Sequence, residues 1–493
     1  MRSSGTSTRI YWLPIFVPSE GSHYKVDSVY LNDRWVLNEH WTFNLGVRYD
    51  KNDAVSGDGS FQIDNSDVIS PRFAANFDVF GDGKLKFIAS YGQYTGRLAE
   101  GVGNDGDPAG RNSSFSWSYA GPPVNDDPMA PTEDLIPTEE ALAILFDWFF
   151  ANGGVDRRPL RTTPSIPGLA NVLDPNGLTS PNVDEWTLGV GATLGSRGVV
   201  RADLVFRQWD DFYIDTIDMS TGQVEFEDRT FDLEIVKNDN QGIYNREYRG
   251  LHTQLQYRFT DRFNLGLTYT LSKLEGNVTG ETWNSGPVSG SAGRYPEYRE
   301  ESWNYPTGYL TGDRRHRARL WLTYDLPTGI GDFVFSLMQR FESGTASSTD
   351  GSIDTRSFVD NPGYQNPVSS VSYFFYGRGD LTSDNLTATD ISVTYTLPIK
   401  DLDLYLTAQV FNIFNEQAVL SFDETVNTED DEDYLALFNP FTETPIECPQ
   451  GAAPEVCEDM GAHWQLGENF GLPDSEGDYQ TPRRFVLTLG LRF

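Results

Sequence analysis

The 493-residue chain lacks any long apolar run. No segment approaches the roughly 18 consecutive apolar residues expected of a membrane-spanning helix. The longest apolar stretch, Ala141–Ala151, is too short and is interrupted by Asp147. Residues Met1–Val26 also lack a basic segment followed by an apolar core of about 7–15 residues, so we expect no secretory signal peptide within this chain.

Basic residues are scarce, with 37 Lys and Arg against 72 Asp and Glu and a net charge of −35. A surface of this charge repels phosphates, which argues against a nucleic-acid partner. The densest acidic stretch is Asp423–Asp433, which is typical of a solvated loop. A calcium or magnesium site shared with surface lipopolysaccharide is the alternative. The stretch has no EF-hand ligand spacing, so we predict no metal site and no cofactor.

Only two cysteines are present, Cys448 and Cys457, and they lie close together in an acidic, proline-containing stretch. This spacing favours a disulfide formed in an oxidising compartment such as the periplasm. A zinc site would need further soft ligands, and His463 is the only nearby candidate.

Catalytic motifs are absent as well. The five histidines are scattered, and we find neither a nucleophile elbow nor an HExxH motif. We therefore predict that the chain is not an enzyme.

The chain does contain segments in which apolar and polar residues alternate. In Arg484–Phe493 the odd-numbered positions are apolar and the even-numbered positions, Val486 excepted, are polar or glycine. A period of two with one apolar face predicts a β-strand that lies against an apolar environment on one side. Both a soluble β-sandwich and a membrane β-barrel have strands of this kind, so alternation alone leaves both open.

The same pattern recurs along the whole chain. Clear copies lie at Trp41–Asp50, 70–80, 84–93, 186–194, 200–207, 247–259, 263–271, 316–326, 332–342, 388–397 and 401–411, and a weaker one lies at 24–37. They are joined in pairs by short turns at 38–40, 81–83, 195–198, 260–261, 327–331 and 398–400. Long polar stretches separate the pairs at 51–69, 94–183, 215–246, 273–314, 343–387 and 414–483. This sorting of connections predicts an all-β, antiparallel transmembrane barrel with short periplasmic turns and long extracellular loops.

The strand count indicates a partial barrel. Counting back from a periplasmic C-terminus gives about 13 strands, and the first would run inward from the cell surface. Single-chain bacterial barrels have even strand numbers and both ends in the periplasm. We therefore expect residues 1–493 to form the C-terminal part of a larger barrel, with further strands upstream.

Several motifs resemble one family. The run Ser28–Asp50 resembles the barrel signature of TonB-dependent receptors, in which an aspartate–x–tryptophan strand turns into a strand closing on Gly-x-Arg-Tyr-Asp. The stretches 181–215, 246–257, 312–324 and 410–415 resemble the Oar-like branch of that family. This resemblance implies a barrel of 22 strands filled by an N-terminal plug, with uptake energised through TonB. Neither a plug nor a TonB box is visible in this chain.

The final strand resembles the closing strand of outer-membrane barrels. That resemblance implies recognition of Leu489, Leu491 and Phe493 by the barrel-assembly machinery.

Two groups of residues are weak candidates for ligand binding. Arg317 and Arg319 are predicted to point into the lumen and could steer an anionic substrate, although pairing with lumenal acids is the favoured interpretation. Pro137–Gly154 is predicted to be a short loop helix with Thr138 as N-cap. Its Trp148 and Phe149 could grip a ligand at the extracellular mouth, although packing against neighbouring loops is favoured.

The leading hypothesis is therefore a TonB-dependent receptor barrel for active uptake of a scarce extracellular ligand across the bacterial outer membrane. The alternatives are a passive channel and a surface adhesion protein that acts through its acidic loops. The expected partners are outer-membrane lipid and lipopolysaccharide, the barrel-assembly machinery, an unidentified extracellular ligand, and the TonB complex only if a plug and a TonB box lie upstream.

Overall fold

A single antiparallel sheet dominates the protein. The computed structural model describes residues 8–492, apart from 56, 58, 60–61, 97–106, 126–130, 132–133, 163, 175, 218, 228, 241, 279–305, 366, 368 and 400–401. The sheet contains thirteen long strands in chain order: β1 His23–Val36, β2 Trp41–Val55, β3 Gln62–Asp78, β4 Leu85–Thr95, β5 Asn182–Leu194, β6 Gly198–Asp210, β7 Arg246–Thr260, β8 Phe263–Gly276, β9 His316–Thr328, β10 Gly331–Glu342, β11 Leu386–Ile399, β12 Leu402–Phe411 and β13 Arg484–Arg492. We call this sheet the wall. A short strand, Gly308–Tyr309, pairs with the end of β8.

Each strand of the wall pairs with the next one along the chain. Connections at one end are short, namely 37–40, 79–84, 195–197, 261–262, 329–330 and 400–401, whereas all but one at the other end are long. The predicted all-β, antiparallel wall with sorted connections is confirmed. Among the described residues, β1 and β13 each pair on one side only, so the wall is an open sheet.

The prediction of one long loop is wrong. Residues 51–69 were expected to be a loop, but β2 continues to Val55 and β3 begins at Gln62, so the connection is only 56–61. Most residues of these strand ends are polar, so the clear alternation of the rest of the wall is missing there. They are covered by other loops, as shown by the buried Asn52 side chain, which donates to Ser180 Oγ at 3.0 Å.

The apolar face of the wall is exposed. Leu45, Leu188 and Leu204, on three different strands, are 44–52% exposed, and Leu487 on β13 is 73% exposed. In a soluble sandwich these positions would form the core, whereas in a membrane barrel they meet lipid. The wall therefore has the outward surface of a transmembrane barrel.

Aromatic side chains gather at the short-turn end of this surface. Ring centroids of Trp41 and Phe77 are 4.7 Å apart, those of Phe259 and Phe263 are 5.1 Å apart, and those of Phe333 and Tyr395 are 4.7 Å apart. Such a belt is typical of the membrane–water interface of a barrel, where a ring can contact both lipid and water.

The packed cores lie in the long loops instead. The largest one surrounds helix α1, Thr138–Ala151, and includes Trp117, Tyr119, Leu145 and Phe149. The strand Arg9–Trp12 pairs with Phe115–Ser118 in this same layer, so the chain enters β1 from the extracellular side. A second helix, α2 Pro454–Met460, lies in the last loop.

Short strands and turns build the rest of this extracellular layer. The strands are Asn171–Leu173, Tyr213–Thr216, Gln223–Phe226, Arg229–Asp232, Glu234–Asn238, Ala346–Ser347, Asp350–Asp354, Ser370–Phe374, Leu381–Thr382, Val426–Asn427, Glu447–Cys448 and Trp464–Leu466. Two 3-10 turns lie at Gly154–Asp156 and Glu476–Asp478. Across the described ranges, no helix is long and apolar enough to span a membrane.

The predicted loop helix exists, but its N-cap is not Thr138. Pro137 occupies the cap position without a side-chain hydrogen bond, and Thr138 is the first helical residue. Proline suits the start of a helix because it has no backbone N–H and cannot donate the hydrogen bond that the helix interior requires. At the other end, Asn152 Nδ2 donates to the Trp148 carbonyl at 2.8 Å.

Candidate functional site on the lumenal face

The face of the wall opposite the lipid-facing side is polar and largely self-neutralised. Each of its paired arginines binds an acid that lies either two residues along the same strand or on the neighbouring strand. The pairs are Arg48–Asp50 at 2.9 Å, Arg201–Asp203 at 2.7 Å, Arg207–Glu185 at 2.5 Å and Arg340–Asp390 at 3.5 Å. Strand parity alone places all of these side chains on one face. We call this the lumenal face.

The predicted arginine cluster gathers around one carboxylate. Arg317 lies directly opposite Glu342 in the register of β9 and β10, and Arg319 Nη2 lies 3.4 Å from Glu342 Oε1. Arg314 also donates to Glu342. The contact between Arg319 and Glu342 is a pairing of a lumenal arginine with a lumenal acid, the interpretation favoured in the sequence analysis. Two guanidinium groups thus contact one carboxylate, and a third, that of Arg317, acts on it electrostatically, so arginines outnumber this acid at the extracellular end of β9.

The predicted aromatic residues of α1 are engaged in packing. Phe149 is buried with its ring centroid 5.1 Å from that of Trp117. Trp148 lies 4.8 Å from the Tyr119 ring and 4.7 Å below the guanidinium of Arg157. The exposed aromatic residues of this helix are Phe146 and Phe150, whose rings stack at 6.3 Å.

The last loop is stabilised by its two cysteines. Cys448 and Cys457 form a disulfide, and both are fully buried. Nearby, His463 Nδ1 accepts a hydrogen bond from the Ile446 N–H at 2.8 Å. Burial lowers the pKa of His463, partly opposed by the charge of Glu443. His463 is thus a hydrogen-bond acceptor in the packed loop.

The acidic stretch Asp423–Asp433 contributes several structural hydrogen bonds. Asp423 Oδ1 accepts from the Thr425 N–H at 2.7 Å, and Asp431 Oδ2 accepts from the Thr428 N–H at 3.0 Å. Burial raises the pKa of Glu429, whose Oε1 accepts from the Asp354 N–H at 3.1 Å. Within the described part of the chain, no group of three or more His, Cys, Asp or Glu side chains could hold a metal ion.

The end of the chain follows the alternation of the other strands. Leu489 and Leu491 on β13 are 71% and 59% exposed on the lipid-facing side. Phe493 lies outside the described residues. Its proposed role in barrel assembly stays a prediction.

Sequence reasoning missed a depression on the lumenal face of β1–β5. It has a volume of about 420 Å³ and includes Asn32, Arg34, Arg72, Tyr94 and Glu185 in its lining. Gly46 and Gly92 lie on either side of Arg72 in the strand register. The inward parity of these residues is readable from the sequence. Their assembly at one height could be found only by knowing the register between strands.

These features match a known family. A sequence profile of the outer membrane beta barrel domain matches residues 16–346, more than half of the chain. The chain belongs to this family, and its location is the bacterial outer membrane.

Individual relatives are more distant. The chain is 23% identical over 430 residues to the TonB-dependent transporter Oar of Myxococcus xanthus, covering 81% of this chain and 36% of the relative. It therefore spans about a third of the curated relative's length.

Solved structures with a related arrangement include the outer membrane transporter YddB from Escherichia coli, with a TM-score of 0.47, 13% identity, and coverage of 81% of this chain and 42% of that one. Another is BauA, the ferric preacinetobactin receptor from Acinetobacter baumannii, with a TM-score of 0.44, 12% identity, and coverage of 80% and 40%. These similar proteins are transporters and receptors. Overlaps this distant carry no inference about a ligand.

Proposed function

We propose that this chain forms the C-terminal part of the wall of a TonB-dependent transporter that takes up an extracellular ligand. The main support is the contrast between the two faces of the wall. One face exposes apolar side chains to lipid, whereas the other presents ion pairs such as Arg201–Asp203 and Arg207–Glu185 to the lumen. A polar lumen inside a lipid-exposed wall is suited to moving a polar ligand across the membrane.

The direction of the edge strands indicates how the wall is completed. β1 begins in the extracellular layer and β13 ends at the periplasmic side, so both edges run inward. Neighbouring strands of an antiparallel barrel run in opposite directions, and closure therefore requires an odd number of additional strands. Nine would give the 22 strands of the large transporters. We propose that they come from an upstream part of the same polypeptide, together with a plug.

We propose the partners that a transporter wall of this kind would need. The TonB complex would act through an upstream plug and TonB box, and the barrel-assembly machinery would read the final strand that includes Leu489, Leu491 and Phe493. Lipopolysaccharide would surround the outer end of the wall. The disulfide-bonded last loop and the α1 core would form the extracellular mouth that the ligand meets first. We propose no catalytic role.

The test combines peptide mapping with binding and conductance measurements. Mass spectrometry of outer membranes from the source organism should detect peptides encoded upstream of Met1 that include a plug and a TonB box. The protein purified from those membranes should bind the periplasmic domain of TonB and stay closed in planar lipid bilayers.

A mature protein that begins near Met1 and conducts ions would contradict the proposal and favour the passive channel. A closed barrel that does not bind TonB, but whose loops bind cells or matrix, would favour the adhesin.

A further inference from the structure

The depression on the lumenal face of β1–β5 is shaped by two glycines. A Cβ atom on Gly46 would lie 2.5 Å from Asn32 Oδ1, and one on Gly92 would lie 3.1 Å from the Tyr94 ring. Neighbouring side chains thus lie across both glycines. The two glycines flank Arg72 in the strand register, and because they lack side chains Asn32 and Tyr94 can lie close against the wall beside Arg72.

Arg72 is held in position by stacking. Its guanidinium carbon lies 4.6 Å from the centroid of the Tyr94 ring. Stacking on an aromatic ring occupies the flat face of a guanidinium group and leaves its N–H groups available at the edges. Both side chains are exposed on the lumenal face, so a molecule in the lumen can reach them.

Arg72 has no carboxylate within ion-pair distance; its charge acts on Asp50 from farther away, and Asp50 is bound by Arg48 at 2.9 Å. Most of the lumenal arginines described above have a carboxylate partner, but Arg72 and Arg34 form no ion pair with any carboxylate in the described part of the chain. Glu185, the acid that lines the depression on this face, is already bound by Arg207 at 2.5 Å. Strand parity turns Asp33 to the opposite face. Among the described residues, the depression therefore presents two arginines without an ion-pair partner, in a chain whose net charge is −35.

We propose that this depression is a binding site for a carboxylate, with Arg72 as its main ligand and Arg34 as a second cation. An edge-on guanidinium group matches the two oxygens of a carboxylate through parallel hydrogen bonds. The volume of about 420 Å³ exceeds that of a carboxylate alone and admits the group that bears it. The carboxylate belongs either to a small ligand in the lumen or to a polypeptide segment that fills the lumen.

The inference rests on the proposed function only in treating the lumen as an accessible passage. Its test is chemical labelling, which needs no transport activity, and the two proposals can therefore fail separately.

The first experiment modifies arginines with phenylglyoxal in the native, full-length protein in outer membranes. Labelling of Arg72 is followed by peptide mass spectrometry, with the exposed periplasmic-turn residue Arg262 as the reference. If a small ligand is the occupant, Arg72 reacts readily, and saturating succinate slows its labelling about ten-fold or more. Uncharged succinamide should have no effect, and Arg262 should be unaffected by either compound.

If Arg72 is protected without any additive, a second experiment identifies the occupant. A zero-length carbodiimide should couple the amine in the Arg72→Lys variant to a carboxylate of the lumen-filling segment, and the cross-linked peptide gives its sequence. The matched control is Arg201→Lys, which should couple to Asp203 because Arg201 pairs with that residue at 2.7 Å.

Two results would overturn the proposal. One is labelling of Arg72 that is as fast as that of Arg262 and insensitive to succinate. The other is protection of Arg72 with no cross-link in Arg72→Lys, while the Arg201→Lys control does cross-link to Asp203.

Discussion

The indole of Trp321 lies across Gly266, its register partner on the neighbouring strand. A Cβ atom on Gly266 would lie 2.0 Å from the nearest ring atom, so the glycine is required for this contact. Tyr405 covers Gly490 in the same way, with a corresponding distance of 2.4 Å. Aromatic cover of a strand glycine restores packing and pins the register between two strands.

Replacing Gly266 should therefore destabilise the wall. Gly266→Ala displaces the Trp321 indole and should lower the free energy of unfolding by about 1–3 kcal/mol. Urea titration of the barrel in lipid vesicles measures this change. Gly191→Ala is the matched control, because a Cβ there has no neighbour closer than 4.0 Å. In a Trp321→Ala background, Gly266→Ala should cost much less, and an equal cost in both backgrounds would refute the packing explanation.

The lipid-facing surface gives a second prediction. Leu188 is 52% exposed on the apolar face of β5, and its neighbour Thr187 points to the lumenal face. Leu188→Arg should destabilise the folded barrel by about 2–4 kcal/mol because it places a charge in lipid. Thr187→Arg should cost clearly less. Folding yields in vesicles, measured by heat-modifiable gel mobility, compare the two variants, and equal yields would argue against this assignment of faces.

Two neighbouring phenylalanines of helix α1 differ sharply in burial. Phe149 is 3% exposed and contacts Trp117, whereas Phe150 is 67% exposed. Phe149→Ala should destabilise the α1 core by about 3–5 kcal/mol. Phe150→Ala should change its stability by no more than about 0.5 kcal/mol. Limited proteolysis of loop 96–181 in the folded barrel reports this difference, which disappears if the helix is not packed as described.

The disulfide should stabilise its loop without affecting the wall. Replacing both Cys448 and Cys457 with serine removes a covalent closure between residues nine positions apart. The expected loss is about 2–3 kcal/mol of local stability. It should appear as faster proteolysis within 412–483 at unchanged barrel yield. Reductant should reproduce the effect in the wild type and do nothing further to the double variant.

His463 predicts a pH dependence for the same loop. Its ordinary pKa of 6.5 is lowered in the folded loop by burial, and its Nδ1 accepts the Ile446 N–H. The folded loop therefore favours the neutral ring. This stability is fully present above the ordinary pKa and is lost as the pH falls through the lowered value.

Hydrogen exchange of residues 438–466 should therefore accelerate between about pH 7 and pH 5, after correction for the intrinsic exchange rate. In His463→Gln the corrected profile should be flat across the same range. Equal acceleration in both proteins would show that another group is responsible.

Much of the wall was readable from local chemistry. The alternation in Trp41–Asp50 or Arg484–Phe493 needs only the period of a strand, and the sorting of short and long connections needs only their lengths. Where a strand has polar residues on both faces, as in 51–53, this signal vanishes, and the strand was mistaken for a loop. The N-cap was assigned to Thr138 instead of Pro137 because threonine is one of the preferred cap residues.

The amino-acid order alone was sufficient for the class of fold, the two faces of the wall and the inward direction of Arg317 and Arg319, because these depend on neighbours within one strand. It was not sufficient for the partners of those side chains. Glu342 pairs with Arg319 on the neighbouring strand, and Arg72 lies between two glycines, only through the register of separate strands. Register is set by contacts between residues far apart in the chain, such as Trp321 on Gly266, and so the lumenal sites emerged only in three dimensions.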